Sequence, residues 1–424
     1  MMRNVELPYG NGNQRLSIDE KRLSAVVLPK SQSGAGHGSA IADALKAPVG
    51  GPALSEFLAP GKKVLVIVND GTRPTPTPAV LHAIWPILKQ TDYRFIVACG
   101  THKAPTAEEY QRRIFGALLP ETEKSLAVHD ARTAEMVLVG ESKRGNKFRV
   151  NRIFDDYERV LVIGSVEPHY FAGFTGGRKG FLPGISAYET IERNHRNALD
   201  PASQILRLDG NPVHDEMAEM ETILKARKPD GIYTIQSITA GGTVRHAACG
   251  DITKAFRSLI PHALETFCSP IPSKTDLVVS AAVAPGDASL YQAQKAIEHA
   301  KPALEKGGTV VLVARCQDGI GPSSFWDLLT SAPTPEGVIE KISHGYKLGY
   351  HKAAKLAELV AAGGKIRMVS EIPHETLSKG FIIGHSSVQE AVDAAFAEDG
   401  CVSCTVMPEG HNTVPVVGTK GCAD

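Results

Sequence analysis

The chain has 424 residues, long enough for two or three domains that bury their cores without disulfide staples. Its 46 Lys+Arg balance 46 Asp+Glu and apolar residues make up 42%, which excludes a disordered chain and a general nucleic-acid binder. The opening MMRNVELPYGNG has no apolar leader-like run, the longest apolar runs are strand-sized, and seven scattered cysteines suit a reducing compartment, so a cytoplasmic protein with no membrane span is expected.

Apolar runs alternate with helix-length amphipathic stretches, the pattern of α/β layers on mainly parallel sheets. Strands are predicted over 64–68, 94–99, 160–165, 233–238, 276–283, 309–313 and 366–369. The SGAGHGSA tract beginning at Ser33 reads as a surface turn. After a helical pattern over 255–267, Pro270 and Pro272 restrict the backbone and mark a domain boundary. The expected division is therefore 1–268 and 274–400, with a further strand over 402–407 in a tail, 401–424, that returns to the first domain.

Chemistry-bearing residues gather where predicted strands end. Asp70-Gly71-Thr72-Arg73-Pro74-Thr75-Pro76 leaves the strand over 64–68 and enters a helix near Thr77, a position that favours an anion. Two readings stay open there: Arg73 holding a carboxylate or phosphate, or a structural turn in which Asp70 caps backbone donors. Gly100-Thr101-His102 repeats the arrangement after Cys99 and places an acid–base group beside the first patch if the strands are neighbours.

The third patch, EPHYFAGFTGGRKGFLPG from Glu167 to Gly184, puts His169 at another strand end. Its five glycines are expected to let the backbone approach a bulky ligand, and Arg178-Lys179 offers a phosphate contact or a nucleophilic amine. Neither the P-loop spacing nor a dinucleotide fingerprint is present. A helix over 186–196, with a possible Ser186 to Glu189 capping box, carries His195 near its far end. Three histidines leave a zinc hydrolase open, although no H-E-x-x-H accompanies them, and a noncatalytic anion-binding protein is the other alternative. Further along, Gln292 and Lys295 share a helix face and can donate to an anion, while Cys401 and Cys404 are read as structural thiols. Phe174, Phe181, Phe325 and Trp326 are possible pocket formers, although such aromatics are usually core.

NDGTRPTP, GTHKAPT, EPHYFAGFTGGRKGFLPG, the Asn194-His195 pair, YQAQK and MPEGHNTVPVV together resemble, in order and spacing, the nickel-pincer lactate racemase family over essentially the whole chain. The resemblance implies two α/β domains facing a cleft and a nickel-pincer nucleotide, delivered by cofactor-synthesis proteins, with Lys179 as its tether and His195 completing nickel coordination. It assigns Asp70, Gly71, Thr72, Arg73 and Tyr291 to cofactor or anion binding, and Arg73, Gln292 and Lys295 to the carboxylate of a small 2-hydroxy acid. His102 and His169 match the acid–base pair. The implied reaction inverts C2, lactate being the leading substrate and malate, a longer 2-hydroxy acid or an aldonate the alternatives, by proton-coupled hydride transfer through a 2-oxo acid. Net neutrality is expected to hide a locally basic region, since 168–188 contains Arg178 and Lys179 but no acid.

Overall fold

The computed structural model describes residues 1–29 and 39–418, so the SGAGHGSA tract before Ser39 and Cys422 lie outside the described residues. The chain divides into two compact units, Gln32–Ala263 and a second one made of Met1–Ser31 with Leu264–Asp424.

The Gln32–Ala263 unit is built on a six-stranded sheet in the order Thr243–Gly250, Ile232–Ala240, Arg159–Ser165, Lys63–Asn69, Asp92–Ala98 and Leu126–Val128. Only Thr243–Gly250 runs antiparallel to its neighbour. Lys63–Asn69 sits inside this sheet because its Val-Leu-Val-Ile-Val run is apolar on both faces, and all five of those residues are buried. The core on one face gathers Val64, Val66, Val68, Leu81, Ile84 and Phe95, with helix Thr77–Leu88 supplying Leu81 and Ile84. In-register pairing of Ile67 with both Ile96 and Val162 brings three strand carboxyl ends level.

The second unit carries another six-stranded sheet, wholly parallel, ordered Ile382–His385, Lys365–Val369, Leu304–Val313, Thr275–Ala281, Cys404–Met407 and Leu23–Val26. A hairpin, Met2–Tyr9 with Gly12–Asp19, packs Val5, Leu7, Leu16 and Ile18 into the core of this sheet.

The expected division is corrected here. The amino-terminal residues and the tail belong to the second unit, because Cys404–Met407, buried along its length, pairs between Thr275–Ala281 and Leu23–Val26. The proline-bearing segment is a strand too: Cys268–Ile271 pairs with Val414–Val417, and the unit boundary falls inside helix Ile252–Phe267. Cys401 and Cys404 are buried free thiols whose pKa values burial pushes upward, in keeping with a structural role. No helix among the described residues is long and apolar enough to cross a membrane.

Candidate active site

The three level strand ends of the Gln32–Ala263 unit each lead into one of the chemistry-bearing patches. Lys63–Asn69 runs into Asp70, Asp92–Ala98 into the turn holding His102, and Arg159–Ser165 into the segment holding His169. The first turn is pinned by Thr75, whose hydroxyl accepts from Asn69 Nδ2 at 2.6 Å and shares a hydrogen bond with the Ser165 hydroxyl at 2.9 Å. Gly100, at φ +55, donates its N–H to the Gly184 carbonyl at 2.9 Å and so ties the second patch to the third.

Asp70 fills the turn-capping role that its sequence left open, and it also meets a histidine. Its Oδ1 accepts from the Thr72 N–H at 3.1 Å and the Thr72 hydroxyl at 2.5 Å, closing the turn, while Oδ2 lies 2.7 Å from His102 Nδ1. Burial alone would raise this carboxyl, but the hydrogen bond and charge of His102, the charge of Arg73 and the Thr72 hydroxyl outweigh it and hold the pKa below its ordinary value. An ionised Asp70 can only accept, so His102 Nδ1 carries a hydrogen, and whenever the ring is neutral the lone pair is on Nε2. No local motif links residues 32 positions apart, and sequence reasoning missed this pairing.

His169 is buried, and its Nδ1 accepts from the Ala172 N–H at 3.3 Å, which assigns its hydrogen to Nε2. The tight turn comes from a two-residue ribbon in which Pro168 and His169 pair with Phe174 and Gly173. Phe171 is a second feature that sequence reasoning missed. Its ring contacts the imidazole of His169 at 4.5 Å, that of His195 at 5.3 Å, and the Lys179 ammonium at 6.0 Å from its centroid. The third patch thus converges on one aromatic ring with the helix Tyr188–Arg196 that bears His195. Loss of water around His195 and, next, the Lys179 charge push its pKa down to about 3, with His102 and Arg73 acting in the same direction. A neutral imidazole among cations results, a nitrogen donor suited to a metal.

Several expectations for these patches are revised. Arg178 does not face a ligand: it is buried and ion-paired to Glu221 at 2.8 Å, so the basic pair presents only Lys179 and the local excess of positive charge shrinks. The glycines serve the chain's own packing. A Cβ on Gly173 would lie 2.1 Å from the Arg207 carbonyl oxygen, and one on Gly184 would lie 2.3 Å from that of Gly180. Ser186 caps no helix, since its hydroxyl donates to the Phe181 carbonyl and Ala187 stands at the N-cap. Phe174, Phe181 and Phe325 are core residues, and Trp326 is half-buried.

In the second unit, helix Leu290–Ala300 carries Tyr291, Gln292 and Lys295 within its first turns, with Gln292 exposed and Lys295 half-buried. Tyr291 packs edge-on against Phe325 at 5.5 Å, and the Lys352 ammonium sits 3.7 Å above its ring. Lys295 charge also reaches His299 and His411, whose pKa values burial, first, and then that charge push down.

Imidazoles, a carboxylate and a guanidinium grouped at neighbouring strand ends define an α/β enzyme acting on a small ligand. Residues 9–205 match the family model described as the lactate racemase N-terminal domain, and residues 271–415 match the lactate racemase C-terminal domain. The chain belongs to the lactate racemase family, whose named members are isomerases. It is 29% identical to a lactate racemase of Thermoanaerobacterium thermosaccharolyticum over 352 residues, covering 80% of this chain and 81% of that one. With the lactate racemase of Lactiplantibacillus plantarum it shares 26% identity over 434 residues, 97% of this chain and 99% of the relative. Among solved structures, the lactate racemase apoprotein of T. thermosaccharolyticum has the same fold, with a TM-score of 0.88 at 24% identity, 97% of this chain and all of that chain being covered. A Thermotoga maritima protein matches with a TM-score of 0.67 at 17% identity, over 86% of this chain and 96% of that one.

Proposed function

We propose that the protein is a 2-hydroxy acid racemase, acting first on lactate, in which His102 and His169 exchange the hydroxyl proton. The observation that carries this reading is the complementary proton state of the two imidazoles: His102 Nδ1 donates to Asp70, while His169 Nδ1 accepts from Ala172. Each ring, while neutral, keeps one unprotonated nitrogen, so either can take a proton, and the imidazolium that results can give it back. Racemisation needs both, because the hydroxyl proton leaves on one side and returns after the planar 2-oxo acid has been presented on its other face. The strands leading to the two histidines flank Lys63–Asn69 and lie two sheet spacings apart, about 10 Å, which leaves room for a three-carbon acid.

Two observations fit a nickel-pincer nucleotide. Lys179 and His195 meet at Phe171, and the His195 ring is held neutral as a metal donor must be. Among the described residues, no group of three His, Cys, Asp or Glu side chains could hold a metal, so a protein-bound metal has to bring most of its own ligands. The same finding weighs against the zinc hydrolase reading. When bound, the cofactor supplies an acceptor for the C2 hydrogen and its electron pair. Lys179 is assigned to tethering it and His195 to its metal. Asp70 keeps His102 in the basic tautomer, Arg73 holds the substrate carboxylate, and Gln292, Lys295 and Tyr291 are assigned substrate or cofactor contacts on the family resemblance alone. We place the protein in the cytoplasm, dependent on cofactor-synthesis proteins.

The test is a panel of single-enantiomer 2-hydroxy acids, lactate, malate, longer-chain acids and aldonates, followed for loss of optical purity after coexpression with the cofactor-synthesis proteins. Racemisation accompanied by nickel rather than zinc is expected. Absence of racemisation across the panel, with the Lys179 adduct present, would overturn the assignment.

A further inference from the structure

Lys179 and His195 are each preceded in the chain by a residue that turns inward, and both of those residues end on one helix, Pro212–Arg227. Arg178 reaches it with Nη2 2.8 Å from Glu221 and Nη1 3.1 Å from His214 Nε2. Asn194 reaches it with Nδ2 donating to Glu216 at 3.0 Å and to the Val213 carbonyl at 3.2 Å. A third tie comes from the helix cap: Asn211 accepts from the N–H groups of Val213 and His214, and its Nδ2 donates to the Phe171 carbonyl at 2.9 Å. Glu216, Glu221, Asn211, Asn194 and Arg178 are all buried. Glu216 is a shared acceptor, since Ser142 and Asn146 also donate to it at 2.9 and 3.2 Å.

A helix is stiff, so three anchors on it fix one another's spacing. Burial makes the anchors discriminating, because an ionic or amide group displaced from its partner inside the protein is left unsatisfied. We propose that helix Pro212–Arg227 is the positioning element for the cofactor, with Glu221 setting the placement of the Lys179 amine through Arg178, and Glu216 that of the His195 imidazole through Asn194. Phe171, against which both groups rest, is registered to the same helix by Asn211. Glu216 and Glu221 are positioning residues and touch no reacting atom. The inference rests on the reading that Lys179 and His195 hold the cofactor, and it adds that their mutual distance is set by a single rigid element.

The test compares Glu221→Gln, Glu216→Gln and the apolar pair Arg178→Met with Glu221→Leu, each expressed with and without the cofactor-synthesis proteins. Three quantities are read: the fraction of chains bearing an adduct on Lys179, by mass, the nickel bound per adduct, and Tm. In Glu221→Gln the adduct fraction should fall at least fivefold. In Glu216→Gln the adduct should persist while nickel per adduct falls severalfold. The apolar pair should recover much of the Tm lost in Glu221→Gln yet keep the adduct defect, because well-packed apolar groups replace a buried ion pair in stability but not in direction. A structural role alone would lower adduct and nickel together in proportion to Tm, or restore both in the apolar pair, and either outcome overturns the proposal. Cofactor-free protein supplies an independent reading through the rate of Lys179 trinitrophenylation, expected to rise severalfold in Glu221→Gln and to stay unchanged in Glu216→Gln. Equal rates in the three proteins would also overturn it. If the wild-type chain carries neither adduct nor nickel, the cofactor assignment fails, and the labelling rates still decide whether the helix places Lys179.

Discussion

Replacing Asp70 by asparagine tests the proton state on which the two-histidine reading depends. The substitution nearly preserves shape but removes the charge that His102 faces at 2.7 Å, and Thr72 already occupies the other carboxylate oxygen. A neutral amide can present either an oxygen or an NH₂ group to Nδ1, so the ring is no longer confined to the tautomer that leaves Nε2 basic. A positioned general base is worth about 10² to 10⁴ in rate. His102 is 41% exposed, so water can partly stand in for the lost partner, and the expected fall in kcat is about 10² to 10³, or about 2.7 to 4.1 kcal/mol of activation free energy. Because two enantiomers are equal in free energy, kcat/KM must fall by the same factor in both directions. The assay is the initial rate of racemisation from L- and from D-lactate, with cofactor loading normalised by mass. An Asp70→Asn enzyme within threefold of wild type would refute the tautomer argument.

Other consequences are more quickly checked. Lys179→Ala should abolish the mass adduct while leaving the fold intact, as judged by circular dichroism, because the half-buried lysine makes no contribution to the core clusters. His195 should stay neutral in ¹⁵N spectra down to about pH 4, given burial and then the Lys179 charge that push its pKa to about 3, and Lys179→Met should raise its midpoint. Its folded pKa lies below the ordinary value of 6.5, so the unfolded chain binds the proton first and stability should decline as pH falls from about 6.5 toward about 3. His214 and His411, also held near 3, should add to that slope, which urea titrations across this range would measure. Gly410→Ala puts a Cβ 2.0 Å from the Ser280 hydroxyl, which is itself committed to the Ala296 carbonyl, and should cost about 1–3 kcal/mol, read as a lowered Tm.

Strands announced themselves in the sequence because a parallel strand buried on both faces is a nearly unbroken apolar run. Lys63–Asn69 and Arg159–Ser165 fall within a residue of their expected bounds, and the segments after them hold Asp70 and His169, as expected at strand ends. Long-range pairing was not legible in the same way. The tail strand Cys404–Met407 has no local feature that chooses one sheet over another, and its partners lie more than a hundred residues away at Thr275–Ala281 and near the amino terminus at Leu23–Val26. Arg178 and Lys179 look alike as adjacent cations, and only the acid at Glu221, 43 positions on, separates the buried anchor from the presented amine. The glycines of the third patch misled for a related reason: a missing side chain leaves room for a ligand or for another stretch of backbone, and here the Arg207 and Gly180 carbonyls take that room. Sequence reasoning weighed Asp70 as a turn cap against an anion-binding Arg73, whereas the carboxylate caps the turn and orients His102 at once.

The central claim is that His102 and His169 move only the hydroxyl proton, while the hydrogen on C2 leaves with its electron pair and returns to the same carbon. Conversion of L-[2-²H]lactate in ordinary water, stopped at low turnover, tests this most directly. D-lactate that retains deuterium at C2 is the expected product. D-lactate that carries solvent hydrogen at C2 would show the imidazoles acting on carbon, and would contradict the account.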